Sequence, residues 1–270
     1  MKYWLVTSSA LICASVYLFV SAPEKLPVEG ERLEAQNVDV ERLFHAVNAL
    51  NHHARKIYTS EIVGKGKKVG LKFGEDWAER GVEKGPLPAL FLREFSKELE
   101  RRPEPLGLYL GSDEPINVSN LFTGSTATDY QKLVATEAPV FSNIDGFGKV
   151  AMFPDIASAQ GCVTCHNEHP DSPKKDWVLN EVMGATTWTW PQEYTSAEEM
   201  QVMLQVAVDA LGDAYGNYLE KTEEFSTPPL IGEDWPESGQ YALPSKEVYL
   251  ARVIEESAPD ALRVLLEYLE

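Results

Sequence analysis

Cys162, Cys165 and His166 stand in the stretch GCVTCHNEHPDSPKKDW, Gly161 to Trp177, and pose the chemical question of this chain. Two thiols three residues apart, followed at once by an imidazole, match C-x-x-C-H, the pattern of covalent haem attachment. The spacing matters because two thiols must add to the two vinyl groups on one edge of a macrocycle while the next histidine lies beneath the iron. A short loop can do this without tertiary help. Other chemistries use overlapping residues. A thioredoxin-like dithiol wants its first cysteine near the start of a helix that follows a strand, whereas here a histidine follows Cys165 and NEHPDSP is a poor helix former. Zinc could take Cys162, Cys165, His166 and His169, but consecutive ligands at Cys165 and His166 make tetrahedral closure awkward. A motif without cofactor is the remaining reading. The expectation is one covalent haem c, with His166 as the proximal iron ligand.

Compartment supports that expectation. Lys2 precedes an almost uncharged run from Tyr3 to Val20, and residues 1–22 read as an export signal or a retained membrane anchor. Cys13 lies inside this segment, and Ile12 before it does not suit a lipoprotein site. The remaining two cysteines are those of the motif, so no disulfide framework competes for them. The chain is thus expected in the bacterial periplasm, tethered to the inner membrane or released. A formal charge of −18 argues against nucleic acid as a partner. Residues 195–270 carry 16 acidic against 4 basic side chains, −12 of that total, and form either a solvated surface or a dock for a basic partner.

The elements that must position the motif are legible in outline. Leu43, Val47, Leu50, Ala54, Ile57 and Tyr58 recur at helical spacing, so Asn37 to Val63 reads as an amphipathic helix ended by the glycines of GKGKKVG, Gly64 to Gly70. Pro86 and Pro88 start a second helix that runs to about Arg101. Leu106–Ser112, Ala138–Ile144, Lys149–Pro154 and Gly184–Pro191 read as strands, the middle two joined as a hairpin through Asp145, Gly146 and Gly148. The fold class is therefore α+β with an antiparallel sheet, spanning 38–191. Beyond a boundary near Pro191, residues 195–270 read as an all-helical extension: one helix capped by Thr195 or Ser196, another from Ser245, and a last one opened by Pro259.

The iron face opposite His166 decides function, because the axial ligand sets potential and ligand access. On the first helix His53 shares a flank with the small residues Ala46, Ala49 and Ser60, which makes it the first candidate distal ligand and His52 the second. Met152 and Met183 are alternatives, each in a segment that reads as core. An open sixth position would admit small gases. His169, followed by Pro170, is expected to hydrogen-bond locally or with a propionate, and Lys174, Lys175 and Arg93 are candidates to neutralise propionates.

MFPDIASAQGCVTCHNEHPDSPKKDWVLNEVMGATTW, with NHHARKIYTSEIVG, GLKFGEDW, GPLPALFLRE and LGLYLGSDEPINVSN upstream, resembles a family of extracytoplasmic c-type haem domains with a PAS-like fold. Its members occur alone in cyanobacteria and other bacteria, and as sensor regions of membrane receptors with kinase or cyclase output. The resemblance covers roughly Val38 to Pro191. It implies a single haem c on Cys162 and Cys165, His166 as axial ligand, and a PAS-like sheet packed against helices. One branch looks to use a cysteine on the N-terminal helix as second ligand; this chain has none between Ala14 and Gly161. The expected function is a periplasmic redox or small-ligand sensor that is not itself an enzyme and signals to a protein partner, a redox protein or a membrane sensor kinase or cyclase. Electron transfer is the alternative; a haem enzyme and a zinc-binding module stand behind it.

Overall fold

Asp39 caps the first helix: its side chain accepts from Glu41 N at 2.9 Å, satisfying one of the donors a first turn leaves open. In the computed structural model, which describes residues 37–237 and 239–266, strand β1 (Asn37–Asp39) runs straight into helix α1 (Val40–Ile57). The segment 1–22, read as a signal or anchor, lies outside the described residues. Among the described residues no helix is long and apolar enough to cross a membrane.

Helix α1 does not stop at Gly64. It widens into a π-helical stretch, Tyr58–Gly64, and continues as α2 (Lys65–Val69) until Gly70, whose φ of 108° ends it. Of the glycines expected to cap the helix, the last one does so, because the left-handed cap geometry suits glycine. A short parallel pair, β2 (Phe73–Gly74) and β3 (Gly85–Pro86), leads to α3 (Pro88–Glu100), with Pro88 in the first turn where its missing N–H costs nothing.

Strand β4 (Gly107–Gly111) is followed by α4 (Gly124–Thr136), a helix with no counterpart in the sequence reading. Its apolar stripe is thin, Tyr130 and Leu133 being its buried apolar side chains, and it is held at its start by a Thr123–Thr126 capping box. Then come β5 (Val140–Ile144) and β6 (Gly148–Ile156), the expected hairpin, with Gly146 and Gly148 at φ 86° and 77°. Helix α5 (Gln160–Glu168) carries the motif, and β7 (Val182–Trp190) completes a four-stranded antiparallel sheet in the order β4-β7-β6-β5. The fold is α+β. Its sheet is covered on both faces: Ala151, Phe153 and Trp188 join the main core with α1 and α3, while Met152 and Ala185 face a second cluster with Tyr130 and Leu133 of α4.

The chain after Pro191 shares this core. Strand β8 (Tyr194–Ser196) pairs antiparallel with β1, so α6 (Ala197–Glu223) leaves the short ladder at its Asn37 end and α1 at its Asp39 end. Ser196 and Glu199 close a capping box there, as the sequence indicated. A parallel pair, β9 (Leu230–Gly232) and β10 (Ala242–Pro244), precedes α7 (Lys246–Leu266). Pro259 lies inside α7 instead of opening a separate helix; it removes one rung of the hydrogen-bond ladder without ending the element. Met200, Leu211, Tyr215, Tyr218, Tyr249 and Val253 belong to the same hydrophobic cluster as α1 and the sheet. Tyr215 stacks on Tyr249 at 4.2 Å, and the Tyr249 hydroxyl donates to Ala54 O of α1 at 2.9 Å.

Candidate functional site

The CVTCH segment is helical, which the sequence reading did not expect. Ala159 is extended (φ −139°, ψ 147°), the helix follows, and it ends at His169 because Pro170 disfavours a helical residue before it. The helix-poor run NEHPDSP therefore lies mostly beyond the helix it was thought to forbid. Helical spacing has a chemical consequence: Cys162, Cys165 and His166 stand at i, i+3 and i+4, on one face. Val163 is the one side chain of α5 that is buried, so the motif is pinned at the surface by a single apolar anchor.

Both thiols are free, Cys162 half-buried and Cys165 exposed. Although Cys165 reaches the surface, partial desolvation by the surrounding chain pushes its thiol up, and the carboxylate of Glu75 adds to the effect. Burial lowers the proton affinity of His166, with Asp155 opposing and His169 assisting, so its imidazole is neutral at pH 7, the form that ligates metal. One ring nitrogen, Nδ1, is buried and unpartnered. A group left in that state costs about 1–3 kcal/mol.

Residues that no spacing rule singled out hold the surroundings. Trp177 stands edge-on to His166, ring centroids 6.4 Å apart, and is itself buried. Asn167 fixes it by accepting from Trp177 N at 2.8 Å and donating to Trp177 O at 2.9 Å. Lys174 lies over the Trp177 ring at 3.9 Å and pairs with Glu181. Asp155, near His166, is held by Arg55 of α1 at 2.9–3.0 Å. His169 does bond locally: Nε2 lies 3.2 Å from Glu75 and Nδ1 accepts from Asp171 N at 3.2 Å. With both ring nitrogens engaged, His169 could join a zinc site only by giving up these contacts. Lys175 donates to His169 O at 3.1 Å, and Arg93 lies on α3, which packs against β4 and α6.

The nominated distal ligands both lie on α1. His53 Nε2 is 2.8 Å from Asp260 and Nδ1 is 3.6 Å from Glu256, both on α7. His52 is exposed and lines a cleft with His45, Asn48 and Phe153. Although it reaches the surface, partial desolvation in the cleft, with His53 and the charges of Arg55 and Lys56 nearby, lowers its proton affinity. The charges that bear on the motif include Asp155, itself paired with Arg55, at His166, and Glu75 and Lys67 at Cys165. The flank shared by small residues, on which His53 was chosen, faces the C-terminal helix, whose docking could not be read from local spacing. Met152 is fully buried beneath α4, and Met183 lies in β7, where its carbonyl accepts from Ser112.

A helix face bearing two free thiols and a neutral imidazole is suited to covalent capture of a conjugated macrocycle and to axial ligation of its metal. Compared with known proteins, the chain matches no family model, no curated protein and no solved structure.

Proposed function

We propose that this chain is a PAS-like, periplasmic monohaem c-type protein that acts as a redox or small-ligand sensor and passes its state to a protein partner. The observation that carries the reading is the placement of Cys162, Cys165 and His166 on one face of a surface helix, with both thiols free. The residues fit the group. Cys162 and Cys165 would hold the macrocycle and His166 would hold iron, their i, i+3, i+4 spacing putting all three on one face. Bound there, haem would supply one-electron redox chemistry and an iron site for a small ligand. Trp177, clamped by Asn167, shields the His166 side from water, and Asp155 stabilises positive charge near it. The sheet order supports the PAS-like reading: a meander β5-β6-β7 with β4 added beside β7.

Ferric and ferrous spectra of the exported protein, with and without carbon monoxide, test this reading. The expected result is a covalent haem c that is lost in Cys162→Ala/Cys165→Ala. Exported protein without haem, from a host that matures c-type cytochromes, would overturn it. The same spectra on His52→Ala and His53→Ala test the two nominated distal ligands: a six-coordinate iron that becomes five-coordinate in one variant identifies the ligand, and unchanged spectra in both remove the nominations. A partner captured from membranes in only one oxidation state separates sensing from simple electron transfer, for which the acidic surface would steer a basic redox protein.

A dithiol couple is the second reading. It is favoured by Cys162 standing third in a helix that follows β6. Against it, the first cysteine is the more buried of the two, and the neighbouring Glu75 disfavours the thiolate at Cys165.

A further inference from the structure

A cleft of about 220 Å³ opens between α1, the residue before β5 and the last turns of α7. Ala49, Phe153 and Pro139 form its apolar wall. That wall is stiff, because the His45 ring packs 5.3 Å from both Phe141 and Phe153. Polar groups converge on the cleft from two helices, Asn48 from α1 and Asp260 and Arg263 from α7. Trp188 Nε1 can only donate, and it gives its hydrogen to Asn48 Oδ1 at 3.2 Å, so Asn48 retains its NH2 as a donor. Arg263 approaches Asp260 at 3.7 Å, close enough to attract but too far to hydrogen-bond. Asp260 Oδ2 is taken by His53, which leaves Oδ1 as an acceptor.

The cleft therefore holds a cation, Arg263, beside an anion, Asp260, both partly exposed, above an apolar wall. We propose that it binds a small zwitterion, an α-amino acid with a short aliphatic side chain. Its carboxylate would lie on Arg263 and the Asn48 amide, its ammonium on Asp260, and its side chain on Ala49, Phe153 and Pro139. A bare carboxylate satisfies Arg263 and meets repulsion from Asp260; a bare amine does the reverse. The cleft is small beside the ~300–1,000 Å³ usual for drug-sized ligands, and its apolar wall is short, which suits a small aliphatic side chain. An occupant would bridge α7 to α1 and to the sheet edge. None of the motif residues takes part, so the site stands independently of the haem reading.

Calorimetric titration of the exported chain with L-alanine, L-valine, propionate, isopropylamine and L-phenylalanine tests the proposal. Alanine or valine should bind saturably, and propionate and isopropylamine about tenfold or more weaker, as expected on losing one charge-assisted contact. Arg263→Gln should weaken alanine by a similar factor. Ala49→Leu fills the wall without touching an ion pair and should abolish binding while circular dichroism remains unchanged. The proposal is overturned by absence of saturable amino-acid binding at millimolar concentration, by propionate binding as tightly as alanine, or by unchanged binding in both variants.

Discussion

Truncating Tyr249 should destabilise the whole molecule, not merely its C-terminal end. The ring is fully buried, stacks on Tyr215 at 4.2 Å and meets Phe91 edge-on at 6.1 Å. An aromatic side chain of this kind buries ~150–250 Å², worth about 4–6 kcal/mol at ~25 cal/mol per Å² as an upper bound. Partial collapse of the cavity brings the expected cost of Tyr249→Ala to about 3–5 kcal/mol. Tyr249→Phe removes only the hydroxyl that donates to Ala54 O. That carbonyl still accepts from Tyr58 N, so it is not orphaned, and the cost should be about 1 kcal/mol. Denaturant unfolding followed by far-ultraviolet circular dichroism and by tryptophan fluorescence measures both. Trp188 and Trp190 belong to the sheet and share the core with Tyr249, so the two signals should move together to lower denaturant. If Tyr249→Ala instead melts helical signal while the tryptophan transition stays put, α6 and α7 form an independent unit and the single-core reasoning fails.

Asn167→Ala removes both bonds that fix Trp177 and should cost about 1–3 kcal/mol while exposing the 169–181 segment to proteolysis; unchanged cleavage kinetics would refute the clamp. Ser196→Ala deletes the α6 capping box and should lower stability by about 1 kcal/mol in chemical unfolding. The hydrogen bond from His53 holds the Asp260 carboxyl below its ordinary value of 3.8, so its contribution is present above that pH and is lost as pH falls through the folded value. Asp260→Asn should accordingly be less stable than the parent near pH 6 and converge with it in acid, a small effect because Asp260 is half exposed; parallel stability curves throughout would contradict this. Arg55→Ala breaks the pair with Asp155 and, leaving a carboxylate near His166 without its partner, should raise the pKa of that imidazole in the haem-free protein, read by proton NMR titration.

What the sequence made legible was local. The i, i+3, i+4 stripe of α1, Pro88 at the start of α3 and the glycine hairpin between β5 and β6 are each dictated by residues within a few positions and stand where the spacing put them, whereas Pro86 lies in β3 and not in the helix. The motif itself was legible as chemistry, but its conformation was misjudged, since the residues that break a helix start only where α5 ends. Helix α4 escaped because its buried apolar stripe is short and its Thr- and Ser-containing start resembles a loop. The surroundings of the distal candidates were illegible for a different reason. A helix flank with small residues and a histidine accepts a flat macrocycle or a second helix equally well, and the acidic partners that decide the matter, Glu256 and Asp260, lie about two hundred positions along the chain.

That long-range placement also changes what the C-terminal helices can do. Arg55 reaches Asp155 beside the motif, and its neighbour Ala54 accepts the Tyr249 hydroxyl from α7. Two consecutive residues of α1 thus touch the surroundings of His166 on one side and the final helix on the other. Asp155, whose charge bears on His166, and the Arg55 that pairs with it lie along this line. The backbone of α1 is too tightly packed at Ala54, fully buried, to absorb a displacement locally. Spatial continuity alone does not establish coupling, and a double-mutant cycle between Asp155→Asn and Tyr249→Phe is its measure. A coupling energy near zero would leave α7 as a structural element only, whereas about 0.5 kcal/mol or more would make the acidic C-terminal helices the surface on which a partner reads the state of the motif.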